Sequence, residues 1–349
     1  MMLILGIMPG LALLPGAEAQ PAKQASPDSA GPSSELQMVE RVNNAIDRGL
    51  EYITSKQRKD GGWHNNNAVN GLALLAYMGR GHVPKRGKYP EQLEKGKRFL
   101  LATSNPQTGY LSFGSMYEHG LATLSLAEMY GMDPDPELED KLRKAISLIE
   151  RTQSPLGGWR YNPAPDNQDL SVSVMQIVAL RAASNAEIPV SEKVVEKAIA
   201  YVRRCAAPTG GYGYEGPGAG PQTTAAGILS MQLLGKFDDP NIPKSMEVLR
   251  NYLRASNKEQ FEASGLQYYY YFHYYAMQAH YQFGGKAWAD WHPRIRDTLL
   301  EYQDKKDGSW PIPAGTSEIA VVDPNKVYST AMACLVLDIY LHFLPAYQR

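Results

Sequence analysis

An aromatic residue directly after glycine, or once after serine, recurs along this chain at Gly62-Trp63, Gly109-Tyr110, Gly158-Trp159, Gly211-Tyr212 and Ser309-Trp310, with gaps of 47, 49, 53 and 98 residues. The last gap is twice 49, so one copy has lost its landmark. A unit of about fifty residues is one supersecondary element that cannot bury its apolar face alone and must stack on its neighbours. That narrows the chain to a repeat architecture before any single residue is interpreted.

Each landmark follows a segment of helical period, at residues 45–56, 142–152, 194–204 and 295–302. After a polar loop comes a second, more apolar segment, at 68–78, 116–130, 171–183, 223–234 and 328–343. The copy without a landmark keeps both segments, at 245–255 and 266–283. The first helix of each pair carries charge on one face, whereas the second is apolar or aromatic nearly all round. A helix without a wet face must be buried. Six buried helices wrapped by six amphipathic ones predict an all-α fold, a closed (α/α)6 toroid forming one domain over residues 36–349. An open solenoid is the plainer alternative.

The turns carry a family resemblance. Gln57-Arg58-Lys59-Asp60-Gly61-Gly62-Trp63, Gln153-Ser154-Pro155-Leu156-Gly157-Gly158-Trp159, and Gln303 with Asp307-Gly308-Ser309-Trp310 resemble the Gln-to-Trp repeats of squalene and oxidosqualene cyclases. Protein prenyltransferase β subunits share the toroid and a related repeat. In physical language, glycine permits the tight turn, the Gln side chain bonds neighbouring backbone and the Trp packs between repeats. More narrowly, the chain is similar to exported, one-toroid members of this group, whose activity the resemblance leaves undefined. What the resemblance implies is terpenoid-type chemistry on an isoprenoid.

The group's chemical hallmarks are incomplete here. Alkene-protonating cyclases carry Asp-x-Asp-Asp before an inner helix, and the matching stretch is Asp166-Asn167-Gln168-Asp169, with glutamine where the resemblance places the proton donor. Prenyltransferases hold zinc with an Asp two residues before a Cys and a distant His. Neither Cys205 nor Cys334 has that Asp, and the Gly-Cys-Gly-Glu-Gln run of thioester relatives is missing. No metal and no cofactor is therefore expected. The two cysteines, 129 residues apart, are expected as free, packed thiols.

In such a toroid the six inner helices start at one rim, where unpaired backbone N–H groups favour carboxylates or a bound anion. The residues at those starts are polar for helices so apolar: His64 and Asn67, Tyr117, Glu118 and His119, Asp166 and Asp169, Tyr268 and Tyr269, and Tyr328. Glu118, His119, Asp169 and Asp166 are the acid and base candidates, since a carboxylate and an imidazole from separate repeats can face each other across a cavity. Helix capping is the competing explanation, above all for Asp169. The fifth inner helix offers two faces, Tyr268/Phe272/Tyr275 and Tyr269/His273/His280, one of them expected to line the cavity. The chain has 22 tyrosines against seven phenylalanines. Such rings can stabilise a cation through their faces, but each buried hydroxyl also needs a partner. The Gly-rich stretch 210–221 reads as a loop over the rim, and His82, His292 and His342 as solvated residues.

Residues 1–19 pair an apolar run with Ala17-Glu18-Ala19, the small-x-small pattern cut in secretory signals, although no Lys or Arg precedes the run. The mature chain is expected to start at Gln20 in the periplasm or outside the cell, with a flexible linker over 20–35. A formal net charge of -1 removes the basic excess of a nucleic-acid binder. The expected partner is a hydrophobic small molecule, an isoprenoid or similar lipid. Peripheral membrane contact is compatible with the mature chain, which has no expected transmembrane helix and is read as a monomer with its assembly open. Two alternatives stand beside this reading: a non-catalytic binding or scaffold protein of the cell envelope, and an (α/α)6 enzyme acting on polysaccharide through Glu118 and Asp169.

Overall fold

The computed structural model describes residues 32–253, 261–262, 266–314, 316–320 and 325–341. Among them are twelve α-helices in strict alternation. The outer ones are α1 (Pro32–Lys56), α3 (Pro90–Thr103), α5 (Pro136–Arg151), α7 (Glu192–Arg204), α9 (Asn241–Tyr252) and α11 (Gly285–Tyr302). The inner ones are α2 (Asn67–Gly79), α4 (Met116–Met132), α6 (Leu170–Asn185), α8 (Pro221–Leu233), α10 (Tyr269–Phe283) and α12 (Val327–Asp338). Inner helices pack on one another in the order α2, α4, α6, α8, α10, α12, and α12 returns to α2. The ring is closed.

Burial follows the composition of each helix. All thirteen residues of α2 are buried, whereas α5 buries only the stripe Leu138, Leu142, Ala145, Ile146, Leu148 and Ile149. The expected signal at 1–19 and the linker up to residue 31 lie outside the described residues, as does His342. Residues 32–35, expected as linker, instead form the first turn of α1. The last inner helix is shorter than the 328–343 of the sequence pattern, ending at Asp338 before a turn.

The turns work as fasteners between repeats. Gln57 Nε2 donates to Gly61 O inside its turn and to Gln92 O of the next outer helix; Gln153 does the same to Gly157 and Val194. At the seam, Gln303 Nε2 donates to Gly308 O and to Ala45 O of α1. Each landmark Trp is buried with its indole N–H on a carbonyl of its own outer helix, Ile53, Ile149 and Leu299 in turn. Gly61 has φ 93°, and a Cβ there would lie 2.5 Å from Lys95 O of the next outer helix. Gly308 stands in the same relation to Arg48 O of α1, at 2.7 Å. A side chain at either site would push two repeats apart.

A second fastener lies at the fourth residue of the inner helices. Asn70, Ser173, Thr224 and Thr330 each accept the backbone N–H of the landmark residue in their own repeat, at 2.8, 2.9, 3.1 and 3.1 Å. His119 holds the same position in α4, where Nδ1 accepts Leu111 N–H at 3.1 Å. In α10 the fourth residue is Phe272, which packs on Tyr252 and Trp291 instead. Both cysteines are free and buried. His292 is buried rather than solvated, stacked between Trp288 and Tyr340 because α11 turns its aromatic face inward.

Candidate functional site

The first two turns of the inner helices enclose a cavity of about 550 Å³ at one rim of the ring. The second helical residue reaches it from α2, α4, α6, α8 and α12, as Ala68, Tyr117, Ser171, Gln222 and Tyr328. One turn deeper, Leu72, Leu121, Met175, Tyr274 and Met332 form its apolar wall. Asn66, Ser115, Thr223 and Gln267 add polar groups, and Tyr161 and Tyr214 arrive from the loops before α6 and α8. Tyrosine dominates the lining, which also holds Tyr268, Tyr271 and Tyr275. Among the described residues that line it, Glu118 is the sole carboxylate and none is a cation.

Tyr117, Tyr268, Tyr275 and Tyr328 thus face the cavity together with Glu118. The residues in and just before α10 that do so are Tyr268, Tyr271, Tyr274 and Tyr275, which keeps Tyr268 and Tyr275 of the first expected face but not Phe272, and none of the second. Phe272 and Tyr269 point away from it. His273 is buried against Trp291, 5.9 Å between ring centroids, in the layer between α10 and α11. Burial pushes its imidazole down to about 3, and that of His280 down to about 4. His64 uses Nδ1 to accept Asn66 N–H in its turn and does not line the cavity. Asn67 is wholly buried, with its amide on Thr103 Oγ1 and Leu111 O.

The four acid and base candidates are held in other ways. His119 donates or accepts at both ring nitrogens, Leu111 N–H on one side and Ala145 O on the other, and burial pushes it down to about 4. It is a neutral fastener, turned away from the cavity. Asp169 caps α6, its Oδ1 accepting Val172 N–H at 2.8 Å and Ser171 Oγ–H at 2.7 Å, while Arg160 Nε lies 4.0 Å from Oδ2. It is fully buried and absent from the cavity wall. Asp166 is exposed on the loop before α6. Glu118 lines the cavity, but its Oε2 accepts Asn67 N–H and Phe113 N–H, so one oxygen already serves the start of α2.

At α4 and α6 the first rim N–H group, expected to be open, is in fact taken. Met116 N–H donates to Tyr161 O at 2.7 Å and Leu170 N–H to Tyr214 O at 2.8 Å, so the starts of α4 and α6 are closed by the following repeat. The Gly-rich stretch 210–220 supplies that second contact, so it is a packed connection here. At α10 the same task falls to Glu318, in a short 3-10 turn (Ser317–Ala320) ahead of α12. Its Oε1 accepts Tyr271 N–H at 2.9 Å and Tyr328 Oη–H at 3.1 Å. Burial pushes this carboxyl up to about 7, against the lowering effect of the α10 amides and Tyr328. Sequence reasoning missed Glu318 because it lies in a loop with no motif around it, ten residues ahead of the tyrosine it binds.

Twelve alternating helices closed on themselves around a rim cavity decide the architecture. Its fold is a closed (α/α)6 toroid. Comparison with solved structures agrees. The type II terpene cyclase MstE from Scytonema, in complex with merosterolic acid A, superposes with a TM-score of 0.60 over 86% of this chain and 97% of its own, at 15% identity. An α-1,6-mannanase of Salegentibacter, in complex with α-1,6-mannotriose, gives 0.63 over 85% and 98% at 10% identity. Cellobiose 2-epimerase from Spirochaeta thermophila gives 0.64 over 90% and 100% at 15% identity. At these identities the likeness shows the toroid alone. No protein-family profile matches the sequence, and no curated protein does. Among the described residues, no three His, Cys, Asp or Glu side chains gather as a metal site, and no helix is long and apolar enough to cross a membrane.

Proposed function

We propose that this chain is an exported toroid whose rim cavity binds an isoprenoid or similar neutral lipid. The observation that carries the reading is the wall itself: about 550 Å³ lined by Leu72, Leu121, Met175, Met332 and a belt of tyrosines, with no cation among the described lining residues. That volume lies in the range of small-molecule pockets, and the apolar wall with few convergent polar groups is the usual composition of one. A diphosphate-bearing ligand would call for Lys or Arg in the wall. Ring faces of Tyr117, Tyr271 and Tyr275 suit an alkene chain, and they would stabilise a cation formed along it. Terpenoid-type chemistry in this cavity needs an acid other than the two carboxylates carried over from the sequence pattern, since Asp169 is buried as a cap and Asp166 is exposed.

The test is mass spectrometry of a solvent extract from protein purified out of its native host without detergent. A stoichiometric isoprenoid or other lipid is expected, and the intact mass of the same material is expected to begin at Gln20. A clean extract sinks the lipid reading. Oligosaccharide in place of lipid would transfer the site to glycan chemistry, for which Asn66, Gln222 and Gln267 supply the polar contacts.

A further inference from the structure

The lipid reading leaves open how an apolar cavity would fix the one polar end of its ligand. Several polar groups of the wall are engaged: Tyr275 Oη–H donates to Met175 Sδ, Thr223 Oγ1–H donates to Tyr212 O, and the hydroxyls of Tyr161 and Tyr214 share a hydrogen bond, whereas Tyr271 Oη has no hydrogen-bond partner among the described residues. Tyr328 differs in what stands behind it. Its hydroxyl reaches a carboxyl that is fully buried, and the second oxygen of that carboxyl, Oε2, has no hydrogen-bond partner among the described residues. A buried carboxylate oxygen without a donor is costly when charged, and a proton on it removes the cost.

We propose that the Tyr328 hydroxyl, held from behind by Glu318, is the hydrogen-bonding anchor for the single oxygen head group of an otherwise apolar ligand, and that a proton on Glu318 decides whether the anchor donates or accepts. The proposal rests on the lipid reading of the same cavity. When Glu318 is ionised, the Tyr328 proton is drawn inward by a charge-assisted bond, and the ligand meets a lone pair. When Glu318 is neutral, its proton belongs on Oε2, because Oε1 already accepts Tyr271 N–H; the bond from Tyr328 is then an ordinary one, and a ligand oxygen can compete for its proton. The groups that face Glu318 are Tyr117 from α4, Tyr269, Tyr270 and Tyr271 from α10, and Tyr328 from α12. All are tyrosines that burial keeps neutral near pH 7, so none titrates in competition. The exchange centres near neutrality, where burial has placed this carboxyl.

An alcohol can give or take a hydrogen bond, whereas an aldehyde can only take one. Calorimetric titration of the full mature chain with farnesol, farnesal and the saturated hydrocarbon farnesane, at pH 6 and pH 8, separates the cases. Farnesal affinity is expected to fall about fivefold from pH 6 to pH 8, with a midpoint near 7, while farnesol moves by less than about twofold. Glu318→Gln flattens the farnesal profile, and Tyr328→Phe brings both oxygenated probes to the level of the hydrocarbon at either pH. Should Glu318→Gln fail to fold, the wild-type midpoint and Tyr328→Phe still decide. A flat farnesal profile in the wild type, or a Tyr328→Phe protein that binds farnesol unchanged, overturns the anchor while leaving the lipid reading in place. Failure of all three probes to bind overturns the lipid reading itself.

Discussion

Five of the six inner helices spend their fourth residue on a hydrogen bond to the turn, and one does not. Asn70, His119, Ser173, Thr224 and Thr330 are chemically unlike one another, yet each accepts one backbone N–H. At Phe272 the same position is filled by ring packing on Tyr252 and Trp291. The difference teaches that the position, not the residue type, is what the fold requires. A histidine among these five has a structural task that its chemistry alone would not reveal. The repeat that lost its turn landmark also lost the polar partner, and its inner helix is the one closed by a carboxylate from a distant loop.

The largest test of this contrast is Phe272→Ala, expected to cost about 3–5 kcal/mol in urea unfolding because a fully buried ring is removed. Phe272→Thr, which imitates Thr224 and Thr330, is expected to be no better; a neutral Phe272→Thr protein would break the distinction. Next comes acid sensitivity. His119 is neutral in the fold, near 4 against an ordinary 6.5, so the unfolded chain binds the extra proton and stability falls as pH drops from 6.5 towards 4. At pH 5 this amounts to about 2 kcal/mol. His119→Asn, which copies Asn70, is expected to lose that slope between pH 7 and pH 5 in thermal melts while leaving ligand binding intact; lost binding would restore His119 as a site residue. Glu318 acts with the opposite sign, its raised value making the fold gain stability as pH falls from about 7, so the mutant difference and not the raw curve is the readout. Smallest is Ser173→Ala, where the Trp159 N–H loses its acceptor, at about 1–2 kcal/mol by urea unfolding. A change below a few tenths would show that water replaces the hydroxyl.

The architecture was legible because repeat spacing and burial pattern are properties of many residues at once. Landmarks at Trp63, Trp159 and Trp310 marked the turns, and helices apolar all round marked the inner ring. The candidate site was legible only in place. A cavity does lie at the rim of the inner-helix starts, and Tyr117, Glu118, Tyr268, Tyr275 and Tyr328 line it. Their company at those starts was not legible, because a polar residue there can turn inward to the ligand space or sideways to the preceding turn. Asn67 and His119 turn sideways, and a shift of one residue along α10 separates cavity-facing Tyr271 from packed Phe272. Residue type carries no signal of that rotation. Glu318 was invisible for a different reason: its importance comes from a contact with Tyr271, 47 residues earlier in the chain.

The contact of α12 with α2 has a consequence for how such a molecule could change over time. An open stack can lengthen by duplicating one unit, since each end merely moves outward. A ring cannot, because a seventh pair would have nowhere to sit without parting the seam that Gln303 and Arg48 hold across α1. The width of the interior is therefore set once, by the number of spokes, and variation in what it admits is left to side chains of the first two inner turns and to the loops at a single rim.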